Sequence, residues 1–343
     1  MTRTSTRVVV FAAICLLCAA TAVGYLTISS RDEVRTLTVD DAGMTRELTV
    51  SEVTADPHLL FRDTGGGDDY GKVAVSVSSA PGGARALAEL RCDRVHISAG
   101  NGMCLRAELG VIPKYEAMVF DESFTVRHRF DLAGQPSRTQ VSPDGTLAAY
   151  TVFVTGHSYA EGGFSTRTAI VEMATGREVV ELEQFTVRRD GRVFDEEDFN
   201  FWGVTFTDDA NRFYATLGTG DEFLLVEGDV ASRHMRVLAE DIECPSLSPD
   251  GTRVAYKERH VDVFGLVSWR LAVLDLRSMT RWQLGETRDV DDQVEWLDDG
   301  TVMYGLDDPG SFSPRTDVWT APADGSGEPA LLVEAGWSAV MVR

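Results

Sequence analysis

From His58 to the carboxyl terminus, short apolar runs alternate with short polar punctuation. The runs are rich in Val, Leu, Ala, Tyr, Phe and Trp, and many alternate apolar with polar positions, the period of a half-buried strand. "HLLFRD" (His58–Asp63), "YGKVAVSVSS" (Tyr70–Ser79) and "RLAVLDL" (Arg270–Leu276) are examples. No run in this part of the chain has the length and 3.6-residue period of a helix.

The punctuation repeats. "PSRTQVSPDGTLAAY" (Pro136–Tyr150) and "PSLSPDGTRVAY" (Pro245–Tyr256) carry the same Ser-Pro-Asp-Gly turn before an apolar strand. Proline presets φ for such a turn, aspartate bonds its own backbone, and glycine accepts φ > 0. "CDRVHISAGNGMCLRAE" (Cys92–Glu108) aligns without gaps on Pro136–Val152, and "GVTFTDDANRFYATL" (Gly203–Leu217) and "VEWLDDGTVMYGL" (Val294–Leu306) are looser copies. Equivalent positions Ser98, Ser142, Thr207, Ser248 and Leu297 lie 44, 65, 41 and 49 residues apart. A period near 40–50 residues built from short strands marks a β-propeller blade. The first unit lacks an opening strand, and the tail "WSAVMV" (Trp337–Val342) is a strand without a unit. Joined, they predict an all-β, six-bladed β-propeller over residues 58–343, closed by the C-terminal strand. Such closure removes the open sheet edges that invite aggregation.

The amino terminus is a separate object. Arg3 and Arg7 precede 21 uncharged, mostly apolar residues, Val8–Ile28, enough to cross a bilayer as a helix. Residues 1–30 therefore read as a signal peptide or a transmembrane anchor. "ATA" (Ala20–Ala22) resembles a cleavage site, but the apolar run continues past it, which favours the anchor. Flanking arginines place the amino end in the cytoplasm and the propeller outside, at the cell membrane, or secreted if the segment is cleaved. Residues 31–57 read as an extracytoplasmic linker in which "VRTLTVD" (Val34–Asp40) and "TRELTVSEV" (Thr45–Val53) alternate as strands able to pair in a hairpin. In an oxidising compartment the three remaining cysteines invite one disulfide. Cys92 and Cys104 flank one hairpin and are the expected pair, with Cys244 left over.

Charge narrows the partners. With Arg3 and Arg7 set aside, 30 basic residues face 54 acidic ones, a net charge of −24. Nucleic acid is excluded as a partner, since phosphate binding requires a positive surface. Self-repulsion at this charge favours a monomer.

Within a propeller blade, loops joining strands two and three share a face with the blade-to-blade connections. Here those segments are the long ones, including Thr155–Thr166, Thr186–Phe199, Glu258–Ser268 and Gly285–Gln293. That face is expected to be the binding face. Asp195, Glu196, Glu197 and Asp198 precede the first strand of one blade, and Asp289, Asp291 and Asp292 that of another, so both runs are expected near the channel mouth. They suit a protein or peptide with a basic surface. No motif calls for a cofactor; Ca²⁺ is the ion such oxygens would hold, although neither run follows the spacing of a calcium loop. No G-x-S-x-G or H-E-x-x-H motif is present, and "GHSYA" (Gly156–Ala160) reads as an ordinary loop. The sequence therefore points to a non-enzymatic binding or scaffold module engaging its ligand through the long-loop face. The alternative is a propeller lyase or hydrolase with a metal or carboxylate site at the channel mouth.

The repeats resemble the PD40 class of WD40-like repeats found in the TolB family. "ECPSLSPDGTRVAYK" (Glu243–Lys257), "NFWGVTFTDD" (Asn200–Asp209) and "DDQVEWLDDG" (Asp291–Gly300) are similar to exported TolB-like proteins of high-GC bacteria. The resemblance implies a propeller that acts by binding. TolB pairs its propeller with an amino-terminal α/β domain and works with peptidoglycan-associated lipoprotein at the outer membrane. Here about 29 residues separate Ile28 from the first blade strand, too few for that domain, so no partner-binding residue carries over.

Overall fold

The computed structural model describes residues 37–39, 45–108, 110–154, 165–308 and 315–343. Six antiparallel blades carry the chain. From the innermost strand outward, blade one is Gly336–Val342, His58–Asp63, Lys72–Val77 and Arg85–Arg91. Blade two is Arg94–Ser98, Asn101–Glu108, Lys114–Asp121 and Val126–Asp131. Blade three is Gln135–Val141, Leu147–Val154, Ser165–Glu172 and Arg177–Glu181. Blade four begins with Asn200–Phe206, Arg212–Thr219, Glu222–Asp229 and His234–Glu240. Blade five is Glu243–Leu247, Arg253–Val261, Val267–Asp275 and Arg281–Gln283; blade six is Glu295–Asp298, Thr301–Asp307, Thr316–Pro322 and Ala330–Val333. The tail thus lies on the first blade's strand, with Gly336 opposite Asp63 and Val342 opposite His58.

Packing follows the ring. The described core divides into six apolar clusters, each shared by two neighbouring blades. The cluster between blades six and one joins Met303, Val318 and Val333 to Leu59, Phe61 and Ala339. The repeated turns form as their residues dictate. Ser142 Oγ donates to Asp144 at 2.6 Å, the Thr146 N–H donates to the same carboxylate at 3.0 Å, and Gly145 sits at φ +71°. Ser248, Asp250, Thr252 and Gly251 reproduce this arrangement. In the blade-four copy Thr207 and Asp209 do likewise, but Ala210 takes the glycine's place at φ +53°.

Three segments differ from the sequence expectation. Thr186–Phe199 was expected as a loop on the binding face. Instead Thr186–Arg189 adds in parallel to the outer strand His234–Glu240, and Arg192–Phe194 pairs beyond it, giving blade four six strands. Val187 buries against Phe185, Phe213 and Met235, which holds the extra strand at the outer edge. Glu258–Ser268 is largely strand: the residues around Asp262–Leu266 turn a hairpin whose arms, Glu258–Val261 and Val267–Arg270, pair with each other. In the linker, Leu37–Val39 and Thr45–Glu47 form the expected hairpin. Val50–Val53, expected as strand, is one helical turn, because the Glu52 carboxylate takes hydrogen bonds from the Thr49 backbone N–H and hydroxyl, and Val53 packs on blade one. The apolar segment Val8–Ile28 lies outside the described residues, among which no helix is long and apolar enough to cross a membrane.

The innermost strand of each blade is a sheet edge, and its outward N–H groups need acceptors. They find them on the neighbouring blade. Ser338 Oγ accepts from the Val95 N–H at 3.1 Å, His96 Nδ1 from Val141 at 3.1 Å, Gln140 Oε1 from Phe206 at 3.1 Å and Thr205 Oγ1 from Leu247 at 3.0 Å. Between blades five and six the Trp296 indole donates to the Ser246 carbonyl at 2.9 Å.

Two outcomes are expected. Thr205→Val orphans the Leu247 N–H and lowers stability by about 1–3 kcal/mol in denaturant unfolding, whereas Thr205→Ser, which keeps the acceptor, costs less than half as much. Ala210→Gly relieves the left-handed strain and raises stability by up to about 1 kcal/mol; a loss there would show that Ala210's buried methyl outweighs its backbone.

Candidate functional site at the channel mouth

The inner strands all run in one direction, so their first residues gather at one end of the central channel and their last residues, with the Ser-Pro-Asp-Gly turns, at the other. Residues at the starts line a cavity of about 570 Å³. Arg94, Ser137, Arg138, Glu243, Cys244 and Asp291 come from these starts or just before them, and Lys257, Trp269, Trp202, Phe153 and Thr166 complete the wall. Deeper in, a waist of about 30 Å³ lies among Arg94, His96, Arg138, Asp292 and Glu295. A second opening of about 220 Å³ faces the short turns.

Three cations converge on the larger cavity. Arg94 pairs with the buried Asp292 at 2.9 Å, and its guanidinium lies over the Trp337 ring at 4.8 Å. This contact ties blades one, two and six together. Burial pulls the Arg94 pKa down to about 10, with nearby Arg138 adding to the effect, which leaves it charged at neutral pH. Lys257, almost wholly buried, pairs with Asp291 and stands 5.1 Å over the Trp269 ring. The Trp269 indole in turn donates to Glu243 at 2.8 Å, and burial raises the Glu243 pKa despite Lys257. Arg138 has no such carboxylate. It donates to the Ser137 carbonyl at 2.9 Å and, at 3.4 Å, to the Asp291 carbonyl, while its enclosed Nε has no partner. Burial works against its charge, but the Cys244 thiol beside it, with Asp292 and Asp291, leaves its pKa raised.

At the waist, His96 takes the Val141 N–H on Nδ1, so the proton of the neutral ring sits on Nε2, which faces Glu295 at 3.8 Å. Burial lowers the His96 pKa to about 3 and raises that of Glu295 to about 8. Both are uncharged at pH 7.

The residues singled out from sequence divide. Asp291 and Asp292 reach the channel, each tied to a cation rather than free. Asp289 accepts from the Trp269 N–H at 2.7 Å at the exposed rim. Asp195, Glu196 and Glu197 are exposed and Asp198 is partly buried; none lines the cavity, because the preceding chain is taken up by the outer edge of blade four. Asp198 instead holds the Thr219–Gly220 turn through two 2.6 Å hydrogen bonds. Among the described residues no three His, Cys, Asp or Glu side chains are grouped to hold a metal. Cys92 and Cys104 form a disulfide across a Cα separation of 5.4 Å, and Cys244 is free and buried. His157 and Ser158 lie outside the described residues.

Arg94, Arg138, Lys257, Glu243, Cys244 and Trp269 were missed. A signal existed for three of them. Counting four residues back from the equivalent turn positions gives Arg94, Arg138, Gly203, Cys244 and Gln293, one repeat slot that faces the channel mouth. Counting two back gives His96, Gln140, Thr205, Ser246 and Glu295, a polar slot in which His96, Gln140 and Thr205 join neighbouring blades.

No protein-family model matches the chain, and no curated protein sequence matches it. Solved structures do. TolB from Acinetobacter baumannii matches with a TM-score of 0.52 at 15% identity, over 81% of this chain and 66% of that one. This chain thus spans just under two thirds of the TolB chain. A chain of a nidogen/laminin complex matches with a TM-score of 0.53 at 11% identity, over 83% of this chain and 98% of that one. The shared feature is the fold. The chain is a six-bladed β-propeller whose structural neighbours include TolB.

Two consequences can be measured. Asp292→Ala strands the buried Arg94 and should lower stability by about 3–5 kcal/mol, while the double change Asp292→Ala with Arg94→Met should recover part of that loss. Cys92→Ser with Cys104→Ser opens a short cross-link and should cost about 2–3 kcal/mol; an unchanged melting temperature would mean that the bridge does not constrain the unfolded chain.

Proposed function

We propose that the protein is an extracytoplasmic binding module, held at the membrane by its apolar amino-terminal segment with the propeller outside, and that its ligand enters the cavity at the long-loop end of the channel. The cavity itself carries this reading. At about 570 Å³ it is in the size range of small-molecule sites, and it combines aromatic walls with a few fixed polar groups. The surrounding face supports it. The hairpin of blade five raises Val263, Phe264 and Leu266 above the rim at 95%, 85% and 67% exposure, and Val111 and Ile112 protrude from a strand two-to-three connection on the same face. Large apolar side chains grouped on one face favour a contact surface. The structural likeness to TolB agrees with a binding role but is a likeness of fold alone.

A partner with a basic surface remains part of the proposal, with a changed location. Asp291 and Asp292 are committed to Lys257 and Arg94, so a basic partner would meet the exposed Asp195, Glu196 and Glu197 at the periphery. Material retained from extracytoplasmic extracts by the full-length protein tests both ideas. Trp269→Ala should lose a small ligand bound in the cavity. Asn or Gln at positions 195–197 should weaken a basic partner in a salt-dependent manner. Retention unaffected by either set of changes would overturn the proposal.

A second reading, a lyase or hydrolase acting through a carboxylate, is favoured by Glu295 beside His96. pH separates the two. Folding raises the Glu295 pKa to about 8, so its stabilising contribution is full below the unfolded value near ~4.3 and is lost as pH rises through about 8. Glu295→Gln should flatten that stability loss in either case. Turnover with a limb near pH 8 that vanishes in Glu295→Gln would establish the enzyme; binding without such a limb keeps the module.

A further inference from the structure

The cations around the cavity are not all in contact with a carboxylate. Arg94 answers Asp292 and Lys257 answers Asp291. Burial pushes Glu243 toward its neutral form, and Glu243 Oε1 already accepts from the Trp269 indole. Arg138 donates only to carbonyls, with the Cys244 thiol beside it, the Asp291 and Asp292 charges nearby but not in hydrogen-bonded contact, and one enclosed nitrogen unmatched. A guanidinium with an enclosed N–H unmatched is under-satisfied, and a ligand carboxylate supplies the missing acceptor. The wall around Arg138 is otherwise flat and apolar at Trp202, Phe153 and Trp269. A planar guanidinium fork matches a carboxylate better than it matches a point charge.

From this arrangement we infer that the cavity takes a small organic monoanion, a carboxylate on a flat apolar body, with its carboxylate on Arg138. One carboxylate fills the open positions of Arg138, and the neighbouring Asp291 and Asp292 repel a second negative charge. A cationic ligand is excluded from the cavity by the same three basic groups, although the protein as a whole is strongly acidic. This inference rests on the cavity being the ligand site, and it adds the class of ligand.

The test compares two isosteric probes, 1-naphthaleneacetate and its neutral amide, by fluorescence titration of the full-length protein. The acid should bind at least about tenfold more tightly than the amide, the scale of one charge-assisted hydrogen-bonded pair. Arg138→Gln should abolish that difference while leaving amide binding in place, and Arg138→Lys, which keeps the charge, should retain most of it. The melting temperature of each variant checks that it is folded, and the Lys variant keeps the test valid if the Gln variant is not. Equal binding of acid and amide, or a preference for the acid that survives Arg138→Gln, overturns the monoanion assignment while the cavity stays a ligand site. Binding of neither probe at millimolar concentration overturns the assignment and the cavity reading together.

Discussion

Every blade of this ring ends at the axis in a strand with one side unpaired, and the structure depends on how those open N–H groups are met. A sheet edge facing water is satisfied by water; an edge facing a narrow channel between packed blades is not. The solution is a belt of short polar side chains, Ser338, His96, Gln140 and Thr205, each accepting from the next blade's inner strand. The apolar clusters press neighbouring blades together without direction, and the belt fixes their register. The same demand explains His96. Its Nδ1 must stay an acceptor to hold Val141, so the ring is needed neutral, and burial, which lowers its pKa, keeps it so.

Charge obeys a similar rule one layer above. Inner-strand starts converge where the channel widens, and any ion placed there is partly desolvated. The chain meets that cost by pairing across blades: Asp292 before blade six holds Arg94 of blade two over Trp337 of blade one, and Asp291 holds Lys257 of blade five. These pairs fix geometry more than they add stability, since a desolvated pair returns little net free energy. Arg138 is where the pairing stops. The imbalance is local, and an inventory of 54 acidic against 32 basic residues points the opposite way.

How much was legible follows from which interactions are local. The Ser-Pro-Asp-Gly turns write their hydrogen bonds within five residues, so Ser142–Thr146 and Ser248–Thr252 announced their geometry, and their spacing announced the blades. The incomplete first unit and the spare tail strand announced that Gly336–Val342 belongs beside His58–Asp63. Thr186–Phe194 was misplaced because its strand character comes from a distant partner, Met235 and its neighbours, rather than from its own alternation. The capping box at Thr49 and Glu52 was written in the sequence, yet the alternating pattern through Val53 overrode it. The acidic runs were visible as charge, but whether each carboxylate meets solvent or a cation is decided by residues up to 198 positions away, as for Asp292 and Arg94.

Internal repetition then separates what the fold requires from what it leaves open. The turn slot stays nearly constant: Asp144, Asp209 and Asp250 do the same work on the short-loop face. The belt slot varies but stays polar, and at His96, Gln140 and Thr205 it accepts a hydrogen bond from the next blade. The slot at the channel mouth is unconstrained by either task and holds Arg94, Arg138, Gly203, Cys244 and Gln293, four residue types that differ in size and charge. Gly203, at φ +65°, lets the Cys244 backbone of the next blade approach where a Cβ would collide with it. A repeated scaffold that is uniform where it folds and diverse where six strand starts meet concentrates its chemical individuality at one end of the axis. That end is also the one from which the blade-five hairpin rises, with Lys257 and Trp269 at its root in the cavity wall and Phe264 at its tip. A single pair of hydrogen-bonded strands thus runs from the cavity wall to the exposed tip.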